Sequence, residues 1–162
     1  MLLGAVVTTL TTSVLAAPNA SAAVPHLITK DGVYCLGTTN GNHNSLTLMW
    51  NCHDSADQSW YMTPRGSDSQ GTYYMITNGL GDCLGIYKGS TASGADASAW
   101  ECNNNEDQRW YYQKGSDGWG GLVNKHSGMC LGRYNGYDFP GVTNIQWTCN
   151  GNGDQLWRLT SF

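Results

Sequence analysis

Charge is scarce in this 162-residue chain: 12% of residues are Asp, Glu, Lys or Arg, and the formal net charge is -4. The basic footprint of a nucleic-acid-binding surface is therefore missing. Glutamate occurs only at Glu101 and Glu106, and Phe only twice. With so few helix formers, no helical periodicity runs long enough to compete with strand. Beyond the first 23 residues no segment is apolar for the roughly 20 residues a spanning helix needs. There is no Gly-x-Ser-x-Gly nucleophile motif, and no glycine-rich stretch is followed by Lys-Ser or Lys-Thr. The four His are scattered, and Cys52 beside His53 has a better use in a disulfide, so neither metal nor cofactor is expected.

What the chain does have is Gly (21), Tyr (9) and Trp (7). That balance predicts an all-β chain of short strands and many turns. Aromatics mixed with amide and hydroxyl side chains also suit a ligand rich in hydroxyl groups. Residues 1–23 differ from the rest: they are uncharged, moderately apolar to Ala17, and end in small residues. Ala20-Ser21-Ala22 fits a cleavage site, so residues 1–22 are expected to be a secretory signal and 23–162 an exported, extracellular domain. One mark of such a signal is missing, since no Lys or Arg precedes Lys30. All six cysteines lie in the exported part, and an even count there favours disulfides.

Those cysteines reveal a repeat. Cys35, Cys83 and Cys130 each open a Cys-Leu-Gly tripeptide, 48 and 47 residues apart. A second cysteine follows at 17, 19 and 19 residues, with Trp50, Trp100 or Trp147 two residues before it. Five residues further comes Asp-Gln-x-Trp, beginning at Asp57, Asp107 and Asp154. Three units, about 26–65, 73–113 and 120–162, thus fill the exported chain. The first reads as four strands, His26–Thr29, Val33–Gly37, Thr47–Asn51 and Gln58–Thr63, so three units predict twelve. Such units can close around a pseudo-threefold axis and leave few free edges. Identical units also make one bridge per unit the simplest pairing: Cys35–Cys52, Cys83–Cys102 and Cys130–Cys149.

The series "CLG…WNC…DQSW", "CLG…WEC…DQRW" and "CLG…WTC…DQLW" resembles the ricin B-chain type lectin domain, the Gln-x-Trp β-trefoil carbohydrate-binding module. The resemblance covers all three repeats. It implies a β-trefoil and a non-enzymatic lectin with up to three shallow sites for glycans or polysaccharides, of galactose type or xylan type. It also implies that Trp60, Trp110 and Trp157 point into a shared core, filling a hub that no single unit could fill.

Trp50, Trp100 and Trp147 match the position where the family stacks sugar. Strand alternation agrees, turning Met49 and Ala99 inward and Leu48, Trp50, Ser98 and Trp100 outward. The other reading is that these tryptophans cover the disulfides. Before Trp147 the inward position is the polar Gln146. The family's polar pair is an Asp two residues after the first cysteine and an Asn just before the cassette glutamine. Here the first is Gly37, Gly85 and Gly132, and the second is Asp57, Asp107 and Asp154. A carboxylate is the stronger acceptor, so the polar partner is expected to be relocated rather than lost. The alternative is that these Asp residues only stabilise the turn. Gln58, Gln108 and Gln155 join the candidate set, as do Tyr87 and Tyr134, which can fill the space the glycines leave; the first repeat has Thr39 there.

Two rival functions remain on the sequence. A β-trefoil can also serve as a protease inhibitor or receptor ligand, with its specificity in one exposed loop, Thr63–Tyr74 or Gly132–Gly141. A glycosidase would need two carboxylates across a cleft. Glu101 and Glu106 lie beside the second-repeat site, yet the other repeats put Asn51 and Thr148 at the place of Glu101, which fits surface variation. Trp119, in "GSDGWGG", is expected to pack on the barrel as a loop aromatic.

Overall fold

The structure is a computed structural model and describes residues 23–161. The expected signal segment lies outside the described residues. Twelve strands follow in order: β1 (Pro25–Thr29), β2 (Cys35–Thr38), β3 (Ser45–Trp50), β4 (Trp60–Asp68), β5 (Gly71–Asn78), β6 (Asp82–Ile86), β7 (Ala97–Glu101), β8 (Arg109–Lys114), β9 (Gly120–Asn124), β10 (Cys130–Arg133), β11 (Asn144–Trp147) and β12 (Leu156–Ser161). Following antiparallel pairings from β1 through β2, β3, β7, β6, β5, β8, β9 and β12 leads back to β1. The sheet is closed, which removes most of the exposed edge that short strands would otherwise present.

The hub is built by threefold repetition. Trp60, Trp110 and Trp157 are fully buried, and each indole Nε1 donates to a backbone carbonyl of its own unit, Leu36, Leu84 or Leu131, at 2.8 Å. The tryptophans therefore fill volume and leave no buried donor unpaired. Leu27, Met49, Ile76, Ala99 and Leu122 complete the same core. One disulfide staples each unit, Cys35–Cys52, Cys83–Cys102 and Cys130–Cys149. Each closes a loop of 17 or 19 residues, worth about 3 kcal/mol in the chain-entropy picture.

One expected loop is a strand pair instead. The segment 63–74 continues β4 and β5 into a long hairpin, paired from Trp60 with Asn78 out to Asp68 with Gly71. Pro64 lacks a ladder N–H, and the register shifts between Pro64 and Gly66. Glycine at 66 makes room for Tyr73, because a Cβ there would meet its hydroxyl at 2.3 Å. The hairpin tip is fastened to the next repeats. Asp68 accepts hydrogen bonds from Lys125 Nζ and the Tyr111 hydroxyl, both at 2.7 Å. The Lys125 ammonium, with the Tyr111 hydroxyl, holds the Asp68 carboxyl down to about 2. Just before β9, Trp119 lies under Arg158, 4.3 Å from guanidinium carbon to ring centre.

A candidate glycan-binding site in each repeat

Each repeat carries its site outside the β2–β3 type hairpin, where the strand leading to the second cysteine exposes its tryptophan. Trp50, Trp100 and Trp147 are 43%, 44% and 48% exposed. Their inward neighbours Met49 and Ala99 are fully buried, as alternation requires. Gln146, the polar residue in the inward position before Trp147, is also fully buried and fully used. Its Oε1 accepts from Ser127 Oγ at 2.6 Å, and its Nε2 donates to the carbonyls of Ser90 and Ala92 at 2.8 and 2.9 Å. A buried amide with every partner in place is tolerated in a core. Ser98, expected outward, does line the depression in the second repeat, although little of it is exposed.

The cassette glutamines act as clamps. Gln58, Gln108 and Gln155 are buried, and each Nε2 donates to the carbonyl one residue before the second cysteine: Asn51, Glu101 or Thr148, at 2.9–3.1 Å. Each Oε1 accepts from the backbone N–H one residue after that cysteine: His53, Asn103 or Asn150, at 2.9–3.0 Å. Their amides are spent on backbone, and Gln58 Nε2 lies 3.1 Å from His53 Nε2 as well. They hold the disulfide loop at a fixed distance from the barrel.

The carboxylates sit where a side chain from the preceding glycine would go. A Cβ on Gly37, Gly85 or Gly132 would lie 2.9 Å from the Cγ of its cassette glutamine and 3.0, 3.2 or 3.4 Å from Oδ2 of Asp57, Asp107 or Asp154. Glycine and aspartate are thus coupled: the carboxylate fills the space the missing side chain leaves. A second glycine covers it from the neighbouring turn, Gly41, Gly89 or Gly136, at φ of +67°, +62° and +68°. At such φ any other residue is strained.

The three sites then diverge. In the second repeat Tyr87, Trp100, Asp107 and Gln108 line one depression, joined by Asn103 and Asn105. In the third, Tyr134, Trp147, Asp154 and Gln155 do the same with Asn150 and Asn152. The carboxylates of Asp107 and Asp154 accept only from their own backbone N–H among the described residues, and burial pushes both above their ordinary range. Asp31 adds a further upward push at Asp154. In the first repeat Asp57 is 6% exposed and already bonded twice, by Ser55 Oγ at 2.5 Å and by the Thr38 N–H at 3.2 Å. Trp50 stays exposed there without an open carboxylate beside it.

The asparagine pairs are the site residues that reading the sequence missed. Asn103 Oδ1 accepts from the N–H of Asn105 at 3.0 Å, and Asn150 Oδ1 from Asn152 at 2.8 Å, shaping the rim of each depression. The signal was present in the aligned repeats, where His53 and Ser55 stand in their place. Lys88 was also missed; its Nζ lies 5.1 Å above the Tyr87 ring and covers one face of it.

Comparison with known proteins agrees with this architecture. No curated protein sequence matches significantly. Among solved structures, the designed threefold-symmetric protein ThreeFoil superposes with a TM-score of 0.78 at 23% identity, covering 85% of this chain and 98% of that one. An exo-beta-1,3-galactanase from Clostridium thermocellum gives 0.79 at 21% identity, covering 88% of this chain and 31% of that one. A Polyporus squamosus lectin bound to a human-type influenza-binding epitope gives 0.70 at 15%, covering 86% and 49%. The chain thus spans about a third of the galactanase and half of that lectin, and identities this low establish the fold. Sequence matching goes further: residues 24–157 match the ricin-type beta-trefoil lectin domain, and the chain belongs to that family of carbohydrate-binding modules.

Proposed function

We propose that this chain is a secreted, non-catalytic lectin that binds glycans through the outer depressions of its second and third repeats. The observation that carries this reading is the pair of open carboxylates, Asp107 and Asp154, each in a depression that also holds a half-exposed tryptophan. An indole offers a flat apolar face to the C–H face of a pyranose, while the carboxylate accepts from its hydroxyls. Tyr87 or Tyr134 completes the wall. Asn105 and Asn152 offer further polar contact at the rim. Sugars of galactose or xylan type are the expected ligands. Three disulfides in a chain of this size suit an oxidising, extracellular compartment. Two sites on one rigid body would raise the avidity of individually weak binding.

The test is a glycan array with a xylan pull-down beside it, on the parent chain and on Asp107→Ala, Asp154→Ala and the double variant. Each single variant should keep about half of the binding capacity, and the double variant should keep none. Unchanged binding in the double variant would refute this placement of the sites.

A further inference from the structure

The turn after β10 in the third repeat carries three aromatic rings in a row, Tyr134, Tyr137 and Phe139, each about half exposed. Ring centres are 6.4 Å apart for Tyr134 and Tyr137, and 5.7 Å apart for Tyr137 and Phe139, the latter pair tilted by 30°. Nothing comparable stands at the equivalent positions. The second repeat has Ser90 and Ala92 in place of Tyr137 and Phe139, and the first-repeat loop is two residues shorter.

These rings are exposed on a loop that is pinned, not loose. The buried Arg133 donates to Asp138 at 2.5 Å and also to Asp31. Backbone N–H groups of Tyr137 and Val142 donate to Tyr134 and Phe139, at 3.1 and 3.3 Å. Gly141 and Met49 lock the loop to β3: Gly141 N–H donates to Met49 O, and Met49 N–H to Val142 O, both at 2.8 Å. A backbone held at these points carries its rings in place before a ligand arrives, which lowers the ordering cost of binding.

The loop that carries the row reaches two sites. Tyr134 lines the third-repeat depression. At the other end, two residues past Phe139, a Cβ on Gly141 would lie 3.3 Å from Cζ3 of Trp50, so the loop abuts the indole of the first repeat. Exposed aromatic surface that is contiguous calls for a partner. The exposed large side chains of this loop are aromatic, and flat rings suit the apolar C–H faces of pyranoses.

We infer that Tyr137, Phe139 and Trp50 form a stacking track that extends the third-repeat site toward the first repeat, and that its ligand is a glycan chain of several pyranose residues. This rests on the lectin reading of the third-repeat site. It also gives Trp50 a role as the far end of the track, although Asp57 beneath it is closed.

The measurement is calorimetry on the full chain carrying Asp107→Ala, so that the third-repeat site binds alone. The probes are xylo-oligosaccharides and β-1,3-galacto-oligosaccharides of one to six residues. Affinity should rise with chain length in one of the series. Tyr137→Ala/Phe139→Ala should lower hexasaccharide affinity about tenfold and leave the monosaccharide unchanged. Trp50→Ala should act in the same sense, more weakly. Asp154→Ala should remove binding at every length. Length-independent affinity, or a hexasaccharide indifferent to the loss of Tyr137 and Phe139, would overturn the track and leave the lectin reading standing. No binding of any probe by the Asp107→Ala chain, with none by the parent, would overturn both.

Discussion

The first repeat and the other two share a skeleton and differ in what they leave open. All three have the disulfide, the hub tryptophan, the glutamine clamp and an exposed outer tryptophan. Only the first closes its carboxylate. Ser55 and the Thr38 N–H occupy both oxygens of Asp57, while Asp107 and Asp154 keep theirs turned to the depression. An acceptor with its partners already supplied by the protein has little left for a ligand. Repetition therefore fixes the fold, while in the first copy the Ser55 hydroxyl and the Thr38 N–H together close the carboxylate.

The largest expected effect tests whether the three copies are equal in stability and unequal in binding. Gly37→Ala, Gly85→Ala and Gly132→Ala each push a methyl against the cassette glutamine, and overpacking of that kind costs about 1–3 kcal/mol. Denaturant unfolding should show similar losses in all three. Sugar binding should fall for Gly85→Ala and Gly132→Ala and hold for Gly37→Ala. A loss confined to one repeat would break the comparison.

A smaller effect comes from converting the first repeat. Thr39→Tyr with Ser55→Asn supplies the missing wall and releases Oδ1 of Asp57 from the Ser55 hydroxyl, leaving Oδ2 on the Thr38 N–H. Calorimetric stoichiometry should then rise from two sugars per chain to three. If it stays at two, the Ser55 hydroxyl is not what closes the site.

The smallest effect is on pH. Burial holds the Asp107 and Asp154 carboxyls above the ordinary 3.8, and protonation removes the acceptor. Affinity should therefore weaken as pH falls through those raised values, before 3.8 is reached. Asp68 behaves oppositely. Its folded value of about 2 lies below the unfolded 3.8, so its clamp on Lys125 and Tyr111 is complete above 3.8 and lost between there and about 2. Retention on xylan should fall while circular dichroism still reports an intact fold; coincident transitions would contradict this order.

Much of this was legible in the residues. Landmarks recurring in one order gave three closing units and the pairing of cysteines, since equivalent residues in equivalent units meet equivalent surroundings, while the trefoil and the burial of the hub tryptophans were implied by the resemblance to the lectin family. The coupling of Gly85 to Asp107 was legible as a paired departure from the family pattern, though not as a steric necessity. The hairpin of β4 and β5 was not, because Pro64, Gly66 and Gly71 read as turn residues. Its pairing survives through a bulge and through Lys125, some fifty residues further along the chain. The clamping of both amide ends of Gln58, Gln108 and Gln155 was hidden as well, because its partners are backbone atoms.

The sequence by itself determined the number of units and their staples, because those follow from spacing; which tryptophan each unit buries came from the family its motifs resemble. The tertiary structure alone decided which carboxylates stay open and what lies beside Trp50. The first depends on whether a hydroxyl and a backbone N–H reach one carboxylate, which composition does not encode. The second brings Gly141 against a residue ninety positions earlier, a contact that exists only once the barrel has closed.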